Sequence, residues 1–114
     1  MRLSEKQQIF THCVGKLIIY AYELPEQYED VETIGFSCGD FWARTGHHPR
    51  STHYAKVGAD MSLFVDGMWI ETYDQAPNVW DDLGDYWESL DELARWGGRF
   101  GDYGHFSFEH EGVR

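Results

Sequence analysis

Two histidines and two aspartates are the residues of this chain whose types and spacing could do chemistry. His53 precedes Asp60 by seven residues, and Asp102 precedes His105 by three, more than 40 positions further along. A catalytic zinc site needs three protein ligands, an open fourth position for water, and an acid or base group that is not consumed by coordination. These four side chains supply that inventory.

Each of these residues also has an ordinary interpretation when it is taken alone. A single His is more often exposed or hydrogen bonded than a ligand, Asp60 could be a strand-edge carboxylate, and Asp102 could be a solvated loop acid. Their joint occurrence favours a site. Ser51 and His53 form a Ser-x-His pair, Asp60 follows, and Asp102 and His105 form an Asp-x-x-His pair.

Alternating apolar residues predict that strands carry two of these side chains. In the segment 59–65 the apolar set at every second position leaves Asp60 on the opposite face. Phe106 and Phe108 share one face of a second strand, and His105 falls on the other. Two separate strands would therefore each present a candidate ligand away from the core.

The N-terminal part of the chain predicts a helix followed by a strand. Apolar residues recur every three or four positions over about 5–23, Ser4 and Gln7 have the spacing of a capping box, and Pro25 ends the helix. The next alternating segment predicts a strand that buries Ile34, Phe36 and Cys38.

The rest of the chain predicts a hairpin and more helix. Asp66-Gly67 is typical of a two-residue hairpin turn, so residues 68–71 should return antiparallel. The segment 78–97 predicts two short helices, the second with a capping box at Ser89 and Glu92. The expected fold class is α+β, a small antiparallel sheet with helices on one side and the polar site on the other.

Composition limits the kind of protein. A chain of 114 residues predicts one domain, 1–114, and 17% aromatic residues argue against disorder. The net charge of −11 argues against a nucleic-acid partner. Two cysteines, Cys13 and Cys38, are too few for a cysteine-rich zinc site and are expected to be buried thiols. The polar N-terminus and the lack of a long apolar run predict no signal peptide, no membrane partner and a soluble cytoplasmic protein.

The spacing of the site residues resembles a known family. Zinc peptidases that cut bacterial cell-wall peptides share the pattern Ser-x-His-x-x-Gly-x-Ala-x-Asp, followed much later by a carboxylate three residues before a His. Ser51, His53, Asp60, Asp102 and His105 match it in order and spacing. The segments 60–67, 84–90, 95–102 and 105–108 also resemble the small phage members. Lys56 and Gly58 depart from the pattern, at its Gly and Ala positions, which concerns substrate fit more than the metal.

This resemblance implies a fold, an activity and a cofactor. The family comprises D-alanyl-D-alanine carboxypeptidases and dipeptidases and phage L-alanyl-D-glutamate endopeptidases with the hedgehog/DD-peptidase fold. It implies that His53, Asp60 and His105 bind one Zn²⁺ and that Asp102 is the catalytic base. The implied enzyme is an endolysin without a wall-binding domain that cleaves the peptide stem of peptidoglycan, is made in the host bacterial cytoplasm, and reaches the wall on lysis. We expect a monomer.

Substrate-binding residues are less well defined by the sequence. A substrate carboxylate or developing oxyanion needs a fixed positive partner, which Arg44 or Arg50 could supply, and Arg44 is preferred. Ser51 either orients the substrate or caps its loop. Trp42, Tyr54 and Trp96 either line the cleft or belong to the core.

Two other functions remain open at this point. D-alanyl-D-alanine carboxypeptidase activity would differ only in cleft shape. A non-catalytic zinc-containing wall-binding module would have a structural metal, although such a module has no need for the acid at Asp102.

Overall fold

The computed structural model describes residues 2–38 and 57–110, and within these ranges the predicted α+β class is confirmed. Two α-helices and a small antiparallel sheet make up the architecture. The helices are α1, Leu3–Glu23, and α2, Pro77–Ser89. The strands are β1, Ile34–Cys38; β2, Gly58–Val65; β3, Met68–Ile70; β4, Ala94–Trp96; and β5, His105–Phe108.

Strand β2 is the centre of the sheet, whose order is β1-β2-β5-β4 with β3 also paired to β2. Residues 63–65 of β2 pair with β1 and with β3, so these two strands lie on opposite edges of β2. Strand β5 pairs with residues 58–60, across from β1. Strands β5 and β3 therefore pair with successive parts of the same edge of β2 and leave a gap between them.

The apolar face of the sheet packs against both helices. Phe10 of α1 meets Phe108 edge-on at 5.4 Å between ring centroids, and Trp87 of α2 meets Phe106 at 5.8 Å. Trp87 is fully buried, and its indole N–H donates to the carbonyl oxygens of Arg95 and Ser107. Because Phe106 and Phe108 occupy alternate positions of β5, the two helices lie on the same side of the sheet.

The hairpin prediction is confirmed. Strands β2 and β3 are antiparallel, and the turn residues Asp66 and Gly67 both have positive φ, 51° and 79°. Asp and Gly suit such a turn because they tolerate the left-handed region better than most residues. The Asp66 carboxylate also accepts backbone N–H groups of Glu32 and Thr33 and so joins the turn to the start of β1.

The start of α1 differs from the prediction. The helix begins at Leu3, Arg2 is its N-cap residue, and no side chain caps it. Ser4 lies inside the first turn, where its carbonyl accepts the side-chain amide of Gln8, so it is not a capping residue. The predicted end is right, since the α-helix ends at Glu23 and a short 3₁₀ helix, Leu24–Gln27, follows.

The second helix predicted within 78–97 is wrong. Ser89 ends α2 and its hydroxyl donates to the Tyr86 carbonyl, while Asp91 accepts the Leu93 N–H in a turn. The chain then forms β4, which pairs with β5. Pairing with β5 buries Ala94 and Trp96 on alternate positions, and this gain outweighs the local helical pattern.

The cysteine prediction is half right. Cys13 is a buried free thiol in α1, and burial raises its pKa, whereas Cys38 at the end of β1 is free but exposed. In the part of the chain that the structure describes, no helix has both the length and the apolar character needed to cross a bilayer.

Candidate metal centre

Asp60 and His105 face each other across the pair β2–β5. They are Cα partners in the register, and Oδ1 of Asp60 lies 3.0 Å from Nδ1 of His105. Met61 donates its N–H to the Gly104 carbonyl, and Phe108 donates to the Val57 carbonyl. This alternation makes Asp60 and His105 a non-hydrogen-bonded pair, the position where opposed side chains approach most closely.

The two side chains differ in burial. The His105 side chain is 8% exposed and that of Asp60 is 40% exposed, so the imidazole is held within the protein while the carboxylate reaches solvent. Both belong to the face of the sheet opposite the helices, as the alternation in their strands predicts.

Asp102 completes the cluster from the loop before β5. One carboxylate oxygen each from Asp60 and Asp102 and one ring nitrogen of His105 lie within 4.8 Å of one another. Asp102 is exposed, and its carbonyl accepts the His105 N–H at 3.2 Å, which bends the chain so that the two side chains remain near each other. These three residues form a cluster that can hold a metal ion.

Trp96 holds the loop that carries Asp102. Its indole N–H donates to the Tyr103 carbonyl at 2.8 Å, and its ring is confined between two glycines. A β-carbon added at Gly84 would come within 2.1 Å of that ring, and one added at Gly98 within 2.3 Å. Trp96 is 2% exposed, so of its two predicted roles it has the core one.

An ion-pair cluster covers the outer side of Trp96. The Arg99 guanidinium lies 5.0 Å from the centroid of the Trp96 ring and pairs with Asp85 and Glu88. The other Glu88 oxygen accepts the Trp96 backbone N–H. These hydrogen bonds to carboxylates raise the pKa of Arg99. The cluster joins α2 to the segment that leads into Asp102.

Two glycines, Gly97 and Gly104, allow backbone segments around the site to lie unusually close together. A β-carbon at Gly97 would lie 2.2 Å from the Asp102 carbonyl oxygen and 2.8 Å from the His105 β-carbon, and one at Gly104 would lie 2.5 Å from the Met61 carbonyl oxygen. Only glycine lets these segments approach so closely. The Gly97 carbonyl also accepts the Asp102 N–H at 2.9 Å.

A cleft of about 280 Å³ opens beside Asp102, at the gap between β5 and β3 along the edge of β2. Residues 61–63, residues 69–73, Trp80 and residues 101–104 line it. Tyr73 and Tyr103 stack at 4.8 Å, and the Tyr73 hydroxyl donates to the Asp81 carboxylate, which raises the pKa of Tyr73.

The sequence-based site prediction is only partly covered by the structure. Asp60, Asp102 and His105 are brought together from positions up to 45 residues apart. The predicted ligand His53 and the predicted substrate-binding residues Arg44 and Ser51 lie outside the described residues, as do Trp42 and Tyr54.

The cleft residues Trp69, Glu71 and Trp80 are not among those that the sequence predicts for the site. Trp69 belongs to β3, Glu71 directly follows this strand, and Trp80 fits the apolar pattern of a helix. No local pattern relates these positions to Asp102. The hairpin is the one sequence feature that could have placed Trp69 near the site. A two-residue turn at Asp66-Gly67 pairs Trp69 with Phe64, which lies on the same face of β2 as Asp60.

Comparisons of the chain with protein-family models, with curated proteins and with solved structures gave no match. Two features of this protein therefore point to its function: the residue pattern of the site and the geometry of the Asp60, Asp102 and His105 cluster.

Proposed function

We propose that this protein is a zinc-dependent peptidase that hydrolyses an amide bond in the peptide stem of bacterial peptidoglycan, at the L-alanyl-D-glutamate linkage. The convergence of Asp60, Asp102 and His105 supports this proposal most directly, because these are three of the four residues to which the resemblance gives a metal-binding or catalytic role. The pattern is a property of the sequence, whereas the convergence of the three side chains is a property of the fold.

The geometry of the cluster fits a divalent ion. Ligand atoms about 2.0–2.2 Å from a tetrahedral zinc lie roughly 3.3 Å apart, close to the 3.0 Å between Asp60 Oδ1 and His105 Nδ1. Imidazole and carboxylate are ligands that zinc accepts. His53 would be the third ligand, which leaves Asp102 outside the coordination sphere with a free carboxylate.

The division of roles follows from burial and chemistry. Zinc bound in this position would supply Lewis acidity, which polarises a carbonyl and activates water near neutral pH. Asp60 and His105 would hold the ion, since the strand register fixes their positions. The exposed Asp102 carboxylate takes a proton from the attacking water and returns it to the nitrogen of the leaving amine.

The biological setting that we propose is host lysis by a phage. The resemblance of the site pattern to small phage enzymes is the basis for this setting. The net charge of −11 gives no long-range attraction to an anionic wall. We therefore expect turnover on intact wall to increase with ionic strength.

The direct test is mass spectrometry of the fragments released from purified peptidoglycan by zinc-loaded protein. New L-Ala carboxyl ends and D-Glu amino ends are expected. The Asp102→Asn variant should keep its zinc and lose activity by about 10²–10⁴-fold, the usual contribution of a general base. Asp30→Asn, at another exposed aspartate, is the matched control and should cleave normally.

Other outcomes would replace the proposal. Release of free D-Ala would identify a D-alanyl-D-alanine carboxypeptidase instead. Unchanged turnover in Asp102→Asn would show that Asp102 is not the base. Zinc binding without cleavage of several wall types would identify a wall-binding module with a structural metal.

A further inference from the structure

The backbone of Asp102 sets the position of its carboxylate. One carboxylate oxygen lies within 4.8 Å of ligand atoms on Asp60 and His105, yet no side chain in the described part of the chain donates a hydrogen bond to it. The backbone, in contrast, is bonded on both sides. Its N–H donates to the Gly97 carbonyl at 2.9 Å, and its carbonyl accepts the His105 N–H at 3.2 Å. The segment that holds this backbone therefore decides where the carboxylate lies.

Glu88 of α2 fixes the turn that leads into Asp102. This turn is the short 3₁₀ helix Gly97–Phe100, directly after β4. One Glu88 oxygen accepts the Trp96 backbone N–H at 3.0 Å, and the other accepts Nε and Nη2 of Arg99 at 3.0 and 2.9 Å. Trp96 precedes the turn and Arg99 lies within it, so a single carboxylate holds the turn at two points.

The bond from Glu88 to β4 has no substitute among the described residues. Strand β4 is at the edge of the sheet, so the Trp96 N–H has no neighbouring strand to which it could donate. Asp85 also accepts Arg99, at 2.7 Å, but its side chain is 66% exposed, whereas that of Glu88 is 26% exposed. Because water screens exposed ion pairs, Glu88 is the stronger link between α2 and the turn.

Trp96 extends this restraint to the residue after Asp102. Its indole N–H donates to the Tyr103 carbonyl at 2.8 Å, and the Arg99 guanidinium lies 5.0 Å from the centroid of its ring. Loss of the Glu88 carboxylate would therefore release the Trp96 backbone N–H and the guanidinium over its ring together. Both changes act on the segment that carries Asp102.

We propose that Glu88 is a positioning residue for Asp102 and acts through Trp96 and Arg99. The proposal rests on the function proposed above, in which Asp102 is the general base. Glu88 belongs neither to the metal cluster nor to the lining of the cleft. Its effect on the reaction is therefore indirect.

The role of Glu88 predicts a loss of rate without a loss of metal. The register of β2 and β5 places Asp60 and His105, and Glu88 contacts neither strand. Its removal should therefore move the base and leave the zinc ligands in place. A displacement of about 1 Å at a reacting group can lower the rate by about 10²-fold.

A double-mutant cycle between Glu88→Ala and Asp102→Asn tests this role, with zinc-loaded protein and the soluble peptide L-Ala-D-Glu-L-Lys. Glu88→Ala should lower kcat by about 10- to 100-fold and leave KM and zinc affinity within about 2-fold of wild type. In the Asp102→Asn background the same change should lower kcat by less than about 2-fold, because residues that act as a unit are not additive.

Two variants complete the cycle. Glu88→Gln keeps one acceptor oxygen and loses one of the two contacts, so it should show the same pattern with a smaller loss of kcat. It replaces Glu88→Ala if the alanine variant does not fold. Glu92→Ala, at an exposed glutamate between α2 and β4, is the matched control and should behave as wild type.

Hydrogen exchange followed by NMR on metal-free protein gives a readout that does not depend on activity. In Glu88→Ala the Asp102 amide should exchange at least about 10-fold faster than in wild type, because the segment opens locally. The Phe108 amide, which donates to the Val57 carbonyl in the sheet, should change by less than about 2-fold.

This pattern of exchange would support the positioning role even if the wild type cleaved no peptide, a result that would count against the proposed function alone. Unchanged exchange at Asp102 would overturn the proposal. Equal acceleration at Asp102 and Phe108 would also overturn it, because Glu88 would then stabilise the whole fold. The same conclusion would follow from a full loss of kcat on adding Glu88→Ala to Asp102→Asn.

Discussion

The Asp60 carboxylate and the His105 imidazole lie 3.0 Å apart because their neighbours in the two strands belong to the core. Ala59 and Phe106 are the next pair in the register, and both are fully buried on the face toward the helices. A shift of one residue would turn this pair toward the other face of the sheet. The packing of the core therefore sets the geometry of the candidate metal centre.

Replacing Asp60 should separate metal binding from stability. An Asn at this position keeps the shape of the side chain and can hydrogen bond to His105 Nδ1 in either imidazole tautomer, so the free energy of unfolding should change by less than about 1.5 kcal/mol. The zinc affinity should fall by more than the 10–100-fold that is typical of groups beyond the ligands. Isothermal titration with zinc measures the affinity, and His12→Ala, at an exposed histidine of α1, is the control. Unchanged affinity in Asp60→Asn would exclude this residue as a ligand.

Gly84→Ala should destabilise the protein through Trp96. The added methyl would come within 2.1 Å of the indole ring, and overpacking of this kind costs about 1–3 kcal/mol. Gly15→Ala is the matched control, because Gly15 lies in the interior of α1 with nothing within 4 Å of the added carbon. This control should stabilise the protein by about 0.5–1 kcal/mol. Urea unfolding followed by circular dichroism measures both, and a stabilised Gly84→Ala would contradict the close packing.

Gly97→Ala should disturb the metal centre more than the fold. The new methyl would overlap the Asp102 carbonyl oxygen and the His105 β-carbon. Asp102 and His105 would have to move away from residue 97 to make room for it. Zinc affinity should therefore fall by at least about 10-fold, as for other changes that misplace a ligand. The far-ultraviolet circular dichroism should stay close to that of the wild type. Wild-type affinity in Gly97→Ala would show that the metal site does not depend on this contact.

Alkaline pH should destabilise the protein in part through Tyr28. Burial and the hydrogen bond that its hydroxyl donates to Asp82 raise the pKa of Tyr28 above its usual value. Below the unfolded pKa of about 10, the phenol is neutral in both states and its contribution is fully present. Above that pH the unfolded chain loses the proton first, so the free energy of unfolding falls as pH rises.

Urea unfolding at about pH 8 and pH 11 measures this slope on either side of the unfolded tyrosine pKa. Tyr28→Phe should be less stable at the lower pH and should lose less stability between the two values. Tyr22→Phe, at a side chain that is 58% exposed, is the control. Equal slopes in wild type and Tyr28→Phe would show that Tyr28 does not retain its proton in the folded state.

Much of the fold could be predicted because it follows local periodicity. The apolar alternation of β2, the Asp66-Gly67 turn and the three- and four-residue spacing in α1 are each decided within a short segment. The segment of β4 has a helical pattern of its own, and the pairing that makes it a strand comes from β5, which lies outside that segment. Ser4 has the spacing of a cap but lies inside the helix, because α1 begins at Leu3, one residue before it.

Some features of the candidate site likewise follow from local sequence, and others depend on contacts between distant segments. By itself, the sequence determined which residues have metal-binding chemistry and that Asp60 and His105 lie on the polar faces of their strands, because residue type and the period of two are local properties. Only the tertiary structure decided that these two are direct partners, that Trp96 holds the loop of Asp102, and that a cleft containing Glu71 opens beside it. These relationships depend on strand register and on contacts between distant segments, which the burial of the common core selects.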